Sequence, residues 1–236
     1  MSEERSMEVR VAISAEGVEK IYGYGRSALT VLKNISLEIQ RGEIVSIVGP
    51  SGAGKSTLLN LIGCLDLFQG GRLRVMDRDV TDLSVESLSG FRNLHIGFVF
   101  QLHNLLPEFT ALENIMMPLL IRRVKKGEAK DRAFALLSRF NIADRAHHKP
   151  SEMSGGECQR AAVARAIVGA PDIILADEPT GSLDSANSRM LVETLFEIGR
   201  ERGATIVIVT HDSGIASRTE RTIKLIDGRI EDDRRS

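Results

Sequence analysis

With 236 residues, 42% of them hydrophobic, the chain suits one large domain, or a core domain with an inserted subdomain, and it is too apolar to be disordered. Tryptophan is absent and aromatics reach only 4%, which argues against a stacking platform for single-stranded nucleic acid; 31 basic residues against 32 acidic ones give a net charge of −1, so no nucleic-acid partner is expected. No stretch approaches the ~18 apolar residues of a membrane span, and the charged start MSEERSMEVR lacks the apolar run of a signal peptide.

In chain order, residues 9–13 and 31–39 read as strands with partial alternation. Glu43 precedes the apolar run Ile44–Val48, a buried strand by its pattern; the glycine-rich loop 49–54 follows, then a helix from Lys55 through Leu61. Residues 71–75 read as a short strand. Cys64 and Cys158 lack neighbours at metal-ligand spacing and are expected as reduced thiols. From Thr110 to about Arg165 the pattern turns helical, with a charged break at 122–126. Thr110-Ala111-Leu112-Glu113 fits a capping box, and Pro118 is expected to kink the helix it opens. Residues 173–176 and Thr205–Val209 are short, uninterrupted apolar runs between helical segments, as in strands buried on both faces. Asp227-Gly228 signals a tight hairpin turn.

Gly49-Pro50-Ser51-Gly52-Ala53-Gly54-Lys55-Ser56-Thr57 matches G-x-x-x-x-G-K-[ST] between a strand and a helix, the context that motif requires. Its glycines let successive backbone N–H groups converge on phosphate oxygens, and the helix N-terminus adds a favourable dipole. Lys55 is expected on the β- and γ-phosphates, Ser56 on Mg2+ and Thr57 as the next phosphate contact, so ATP and Mg2+ are the expected ligands. The strand at 173–176 ends in Asp177-Glu178. Asp177 suits Mg2+ held through water, and Glu178 is then available as a general base for the attacking water. By itself a strand ending in Asp-Glu is as readily structural; beside a phosphate loop it is informative.

Met153-Ser154-Gly155-Gly156-Glu157 is a second glycine turn, before a helix at about 157–168 rich in small residues (Ala161, Ala162, Ala164, Ala166). It makes another phosphate-facing helix N-terminus. One nucleotide does not need two such cradles from one chain, which hints at a site shared between chains; a helix capped by its own Ser and Gly is the plain alternative. His211 directly follows a buried strand, where sheet enzymes keep their ligands, with a capping histidine as the alternative.

MSGGE resembles the LSGGQ signature of ABC ATPases, and the order of phosphate loop, Gln101, signature, acidic strand, Ser182-Leu183-Asp184 and His211 follows that family over nearly the whole chain. The resemblance implies an α/β fold: a P-loop NTPase core with a mainly parallel sheet, an N-terminal antiparallel β subdomain and an inserted α-helical subdomain. It implies a single ABC ATPase domain over 1–236, with its core at 1–101 and 166–236 and its helical subdomain at about 102–165. The implied activity is transport-coupled ATP hydrolysis. Tyr22, preferred to Tyr24 by its spacing to Val31, would stack on adenine. Gln101 would touch Mg2+ and the attacking water. Ser154, Gly155 and Gly156 would bind the nucleotide of a second copy arranged head to tail, Asp184 would lie on the dimer seam, and His211 would contact the γ-phosphate. The signature departs at Met153 and Glu157. Cys158, where a larger polar residue is more usual, has no physical account in the sequence.

Residues 101–121, the segment between Tyr22 and Val31, Pro150-Ser151-Glu152 and residues 176–181 also resemble the branch that serves lipoprotein-releasing complexes and macrolide-efflux pumps. That implies a peripheral protein at the cytoplasmic face of a bacterial inner membrane, with integral membrane subunits as partners, driving lipoproteins toward the outer membrane. An efflux ATPase, or a regulatory ATPase of the cell-division type without cargo, is the alternative. Residues 115–121 are expected either to help form a groove for a short helix of the membrane subunit or to pack the helical subdomain.

Overall fold

The computed structural model describes residues 10–81, 83–181 and 183–235; Val9 and Ser182, which enter the expectations above, lie outside them. In chain order it contains β1 (Val11–Tyr22), β2 (Leu29–Gln40), β3 (Ile44–Val48), α1 (Lys55–Ile62), β4 (Gly70–Val75), β5 (Arg78–Asp79), α2 (Val85–His95), β6 (Ile96–Val99), α3 (Ala111–Ile121), α4 (Lys126–Arg139), α5 (Gly155–Ile167), β7 (Ile173–Asp177), α6 (Ser185–Arg202), β8 (Thr205–Val209), α7 (Ser213–Ala216), β9 (Arg221–Ile226) and β10 (Arg229–Arg235).

Six strands form one sheet in the order β10-β9-β3-β8-β7-β6, parallel throughout except for the β9–β10 hairpin. Its inner strands β3, β7 and β8 are apolar at nearly every position because both faces are covered. Ile44, Ile174, Ala176, Ile206 and Ile208 join the core beneath α3 to α6. Their neighbours Val45, Ile47, Ile173, Leu175, Val207 and Val209 point the other way, into the core shared with α1 and the second sheet. The period of two along each strand sorts consecutive residues into two cores.

The second sheet is antiparallel, in the order β2-β1-β4-β5. β1 runs on to Tyr22, well beyond the expected end at Ile13. Its alternation is broken where the pairing with β2 shifts register between Ala15 and Val18, beside Gly17 at φ 61°. A bulge moves later side chains to the opposite face, so the period-two signal fades while the strand continues. The Asp227-Gly228 turn joins β9 to β10 with both residues at positive φ, 47° and 75°, the conformation a two-residue hairpin favours.

α3 opens on the expected capping box: the Thr110 hydroxyl accepts from the Glu113 N–H, and the Glu113 carboxylate accepts from the Thr110 N–H at 2.9 Å. Pro118 lies inside α3, which continues to Ile121. α3, α4 and α5 bury Leu112, Ile115, Met116, Leu119, Ala133, Leu137 and Ala161 in the same core as the sheet. Both cysteines are free and buried, and burial pushes the Cys64 thiol up to about 11.

Candidate functional site

Four parallel strands end on one edge of the larger sheet, and each delivers a candidate residue there. The phosphate loop follows β3, Gln101 lies just past β6, Glu178 follows β7 and His211 lies just past β8. The strand order β3-β8-β7-β6 brings them together at the carboxyl ends of the strands, where open α/β sheets bind ligands. A cavity of about 650 Å³ is lined there by Gly49, Ser51, Gly52, Gly54, Lys55, Ser56, Thr57, Gln101, Asp177, Glu178 and His211.

The loop needs its glycines where other backbone passes. Gly49 has φ 152°, and a Cβ there would stand 2.0 Å from the Leu225 carbonyl oxygen on β9. Gly54, at φ 98°, is the N-cap of α1 and supplies no side-chain cap, so the opening N–H groups of α1 are left for an anion. Ala53 is buried, and its carbonyl accepts from the Gly228 N–H at 3.1 Å, which ties the loop to the β9–β10 turn. The Pro50 carbonyl accepts from the Ala53 N–H. Lys55 arches back over the loop: its ammonium donates to the carbonyl oxygens of Gly49 (2.9 Å) and Pro50 (2.8 Å), two of its three hydrogens.

Burial raises the pKa of Asp177; the Ser56 hydroxyl that hydrogen-bonds its carboxylate opposes the shift, Glu178 adds to it, and Lys55 also opposes it. A hydroxyl and a carboxylate meeting beside the phosphate loop form the all-oxygen donor set that suits Mg2+, which takes one or two protein oxygens and completes its shell with phosphate and water. Glu178 sits in left-handed backbone at φ 44°, with its N–H donating to the Val209 carbonyl at 2.9 Å. Such a conformation is costly for a side-chain-bearing residue and is found preferentially at functional sites. The Glu178 carboxylate lies 2.9 Å from Nδ1 of His211, whose side chain is 72% exposed.

Three expected contributors stand apart from this cavity. Tyr22 does not line it; Leu29, its cross-strand partner, and Val31 do. The Tyr22 hydroxyl donates to Asp66 at 2.6 Å, and the ammonium of buried Lys20 bridges Asp66 (2.7 Å) and sits 4.4 Å from the centre of the Tyr22 ring. Ser154, Gly155 and Gly156 also lie outside its lining. They open α5 through a capping box, with the Glu157 carboxylate accepting from the Ser154 N–H at 2.7 Å and from Arg145 Nε at 2.8 Å. Asp184, likewise outside it, caps α6 by accepting from the N–H groups of Ala186 and Asn187.

Residues 115–121 are partly core and partly exposed. Ile115, Met116 and Leu119 are core, whereas Leu120 and Ile121 are exposed. Pro118 alone of this stretch borders a second cavity of about 370 Å³, walled by Phe98 and Phe100 and by Arg92, Arg122 and Arg165.

Sequence reading missed Lys20, Asp66, Gln159 and Arg160. Arg160 donates to Asn187, which in turn holds Asp184; Gln159 donates to the Phe100 carbonyl beside Gln101. Each acts on a partner distant in sequence, so its role is not written in the local pattern.

Comparison with known proteins agrees with this geometry. The family model described as ABC transporter matches residues 32–181. The lipoprotein-releasing system ATP-binding protein LolD of Bacteroides thetaiotaomicron is 52% identical over 94% of this chain and 100% of its own length. The macrolide export ATP-binding/permease protein MacB of Sodalis glossinidius is 44% identical over 95% of this chain, which spans 34% of that protein. Among solved structures, the ATP-binding cassette MJ0796, described as a dimeric post-hydrolysis state bound to ADP and Pi, superposes with a TM-score of 0.90 at 42% identity, over 94% of this chain and 98% of that one.

Proposed function

The chain belongs to the ABC transporter family as an ATP-hydrolysing cassette, and from that premise we propose that it is the motor of a lipoprotein-releasing complex at the cytoplasmic face of a bacterial inner membrane, working with integral membrane subunits. The identities support this reading: over nearly the whole chain, LolD of Bacteroides thetaiotaomicron is 52% identical and MacB of Sodalis glossinidius 44%. No helix among the described residues is long and apolar enough to cross a membrane.

The observation that carries the hydrolytic reading is that one cavity gathers the phosphate loop, Gln101, Asp177, Glu178 and His211 while the second anion-ready helix N-terminus, at Ser154 to Gly156, lies outside it. Two copies related by a two-fold axis, head to tail, would let each signature turn close on its partner's ATP, with Asp184 on the seam. In each site backbone N–H groups of residues 54–57 at the start of α1 and the Lys55 ammonium hold the phosphates. Mg2+ would be held by Ser56 and Asp177, with Gln101 beside it, and supplies charge neutralisation at the β- and γ-phosphates. Glu178 takes the proton of the attacking water, and His211, 2.9 Å from that carboxylate, orients it and reaches the γ-phosphate. Tyr22, its ring fixed by Lys20 and Asp66, stacks on adenine.

Residues of about 102–165 form the helical arm that transmits closure. The segment after Gln101 is stapled to it: Arg165 donates to the carbonyls of Asn104 and His103, and buried Asn114 bonds the backbone of Leu106 and Phe109. The groove of Phe98, Phe100 and Pro118 is where a short helix of the membrane subunit docks. Reconstitution of the chain with its membrane subunits in proteoliposomes carrying a lipoprotein tests the assignment. ATP-dependent release of the lipoprotein is expected, and release of none, with ATP turnover intact, would overturn it.

A further inference from the structure

Gln159 lies in the first half of α5, two residues past the capping Glu157, and only 1% of it is exposed. Its Nε2 donates to the carbonyl oxygen of Phe100 at 3.1 Å, across 59 residues of sequence. Phe100 is the residue before Gln101, so this bond fixes the peptide from which Gln101 enters the cavity. The other end of the amide is unsatisfied: Gln159 Oε1 is buried and has no hydrogen-bond partner among the described residues. A buried acceptor without a partner is destabilising. A methionine would fill the same volume and remove that orphan, but it would also take the donor from the Phe100 carbonyl, so the two ends of the amide act in opposite directions on stability.

We propose that Gln159 is a positioning residue for Gln101: by tethering the Phe100 carbonyl to α5, it sets where the Gln101 side chain stands in the hydrolytic cavity and ties that position to the helix that carries the Ser154 turn. The inference rests on the reading of Gln101 as part of the hydrolytic site. Gln159 itself does not line the cavity, so its effect falls on turnover and spares the affinity of the isolated chain for ATP.

A double-mutant cycle with Gln159→Met and Gln101→Ala tests it, each protein being assayed for ATP affinity, turnover at saturating ATP and unfolding temperature. Gln159→Met is expected to unfold close to the wild-type temperature, because relief of the unpaired Oε1 offsets loss of the bond to Phe100, to bind ATP as the wild type does, and to turn over about two- to tenfold more slowly, the range for loss of one neutral hydrogen bond. In the Gln101→Ala background the same substitution should change nothing further. If the two losses multiply, Gln159 acts elsewhere and the proposal fails with the role of Gln101 intact. Wild-type turnover in Gln159→Met overturns it as well. Wild-type turnover in Gln101→Ala removes Gln101 from the site and the proposal with it. Should Gln159→Met not fold, Gln159→Asn, which keeps the amide but lacks the reach to Phe100, takes its place in the same cycle.

Discussion

Glu178 is held by three constraints at once: the end of β7, an N–H bonded to Val209 on the neighbouring strand, and a left-handed backbone. Together they aim its carboxylate into the cavity and toward His211. A glutamine in its place keeps the shape and the contact and removes the basicity. Glu178→Gln is therefore expected to bind ATP with near-normal affinity, since the phosphate loop is untouched, while turnover falls by roughly 10²–10⁴, the usual contribution of a general base. Titration with a fluorescent ATP analogue and a phosphate-release assay separate the two quantities. Hydrolysis near the wild-type rate would mean that another group takes the proton.

Among the elements, α5 depends on its first turn. Glu157 closes the capping box, and its carboxyl is held down to about 2, first by the Arg145 guanidinium and then by the Ser154 N–H. An unfolded glutamate titrates near about 4.3. Because the folded value is the lower one, the charged carboxylate stabilises the cap fully above about pH 4.3, and that contribution is lost as pH falls toward 2. The pair is near the surface, so added salt weakens it. Thermal unfolding of the wild type and of Glu157→Ala should differ most near neutral pH and converge as acid protonates the wild-type carboxyl. A gap that stays constant down to about pH 3 would remove the ion pair from the cap's stability. α5 also explains its own run of alanines: Gly97 on β6 passes so close that a Cβ there would stand 2.2 Å from the Ala166 carbonyl, which leaves little room between helix and sheet.

At the scale of the whole molecule, the phosphate loop and the signature turn are two helix N-termini that one copy keeps apart. If they grip one ATP from opposite sides, Ser154→Arg should leave ATP binding by the monomer nearly normal and abolish both ATP-dependent dimerisation and turnover. Mixed with Lys55→Ala, it should form dimers holding one intact composite site beside one doubly damaged site. Size-exclusion chromatography in the Glu178→Gln background, with and without ATP, reads the dimer directly. A monomer at saturating ATP and micromolar protein would leave only assembly imposed by the membrane partner.

The chain's order of residues by itself determined the pieces whose physics is local. The phosphate loop was legible because its glycines and lysine are contiguous, and the carboxylates of Asp177-Glu178 because they end an apolar run. The cap at Thr110 was legible because a capping box spans only four residues. β3, β7 and β8 were legible because burial on both faces writes an unbroken apolar signature. β1 was not, because its bulges erase the alternation. Tertiary structure alone decided which pieces meet. Strand order brought Glu178 to His211 across 33 residues and left Ser154 outside its own cavity. Packing gave Tyr22 its Lys20–Asp66 support, sent Ile115 and Leu119 into the core while Pro118 faces the groove, and set Gln159 against Phe100. The physical reason is common to all of these: a parallel sheet joins neighbours through long crossovers, so the contacts that assemble the site join residues far apart in sequence, where no local period or propensity can record them.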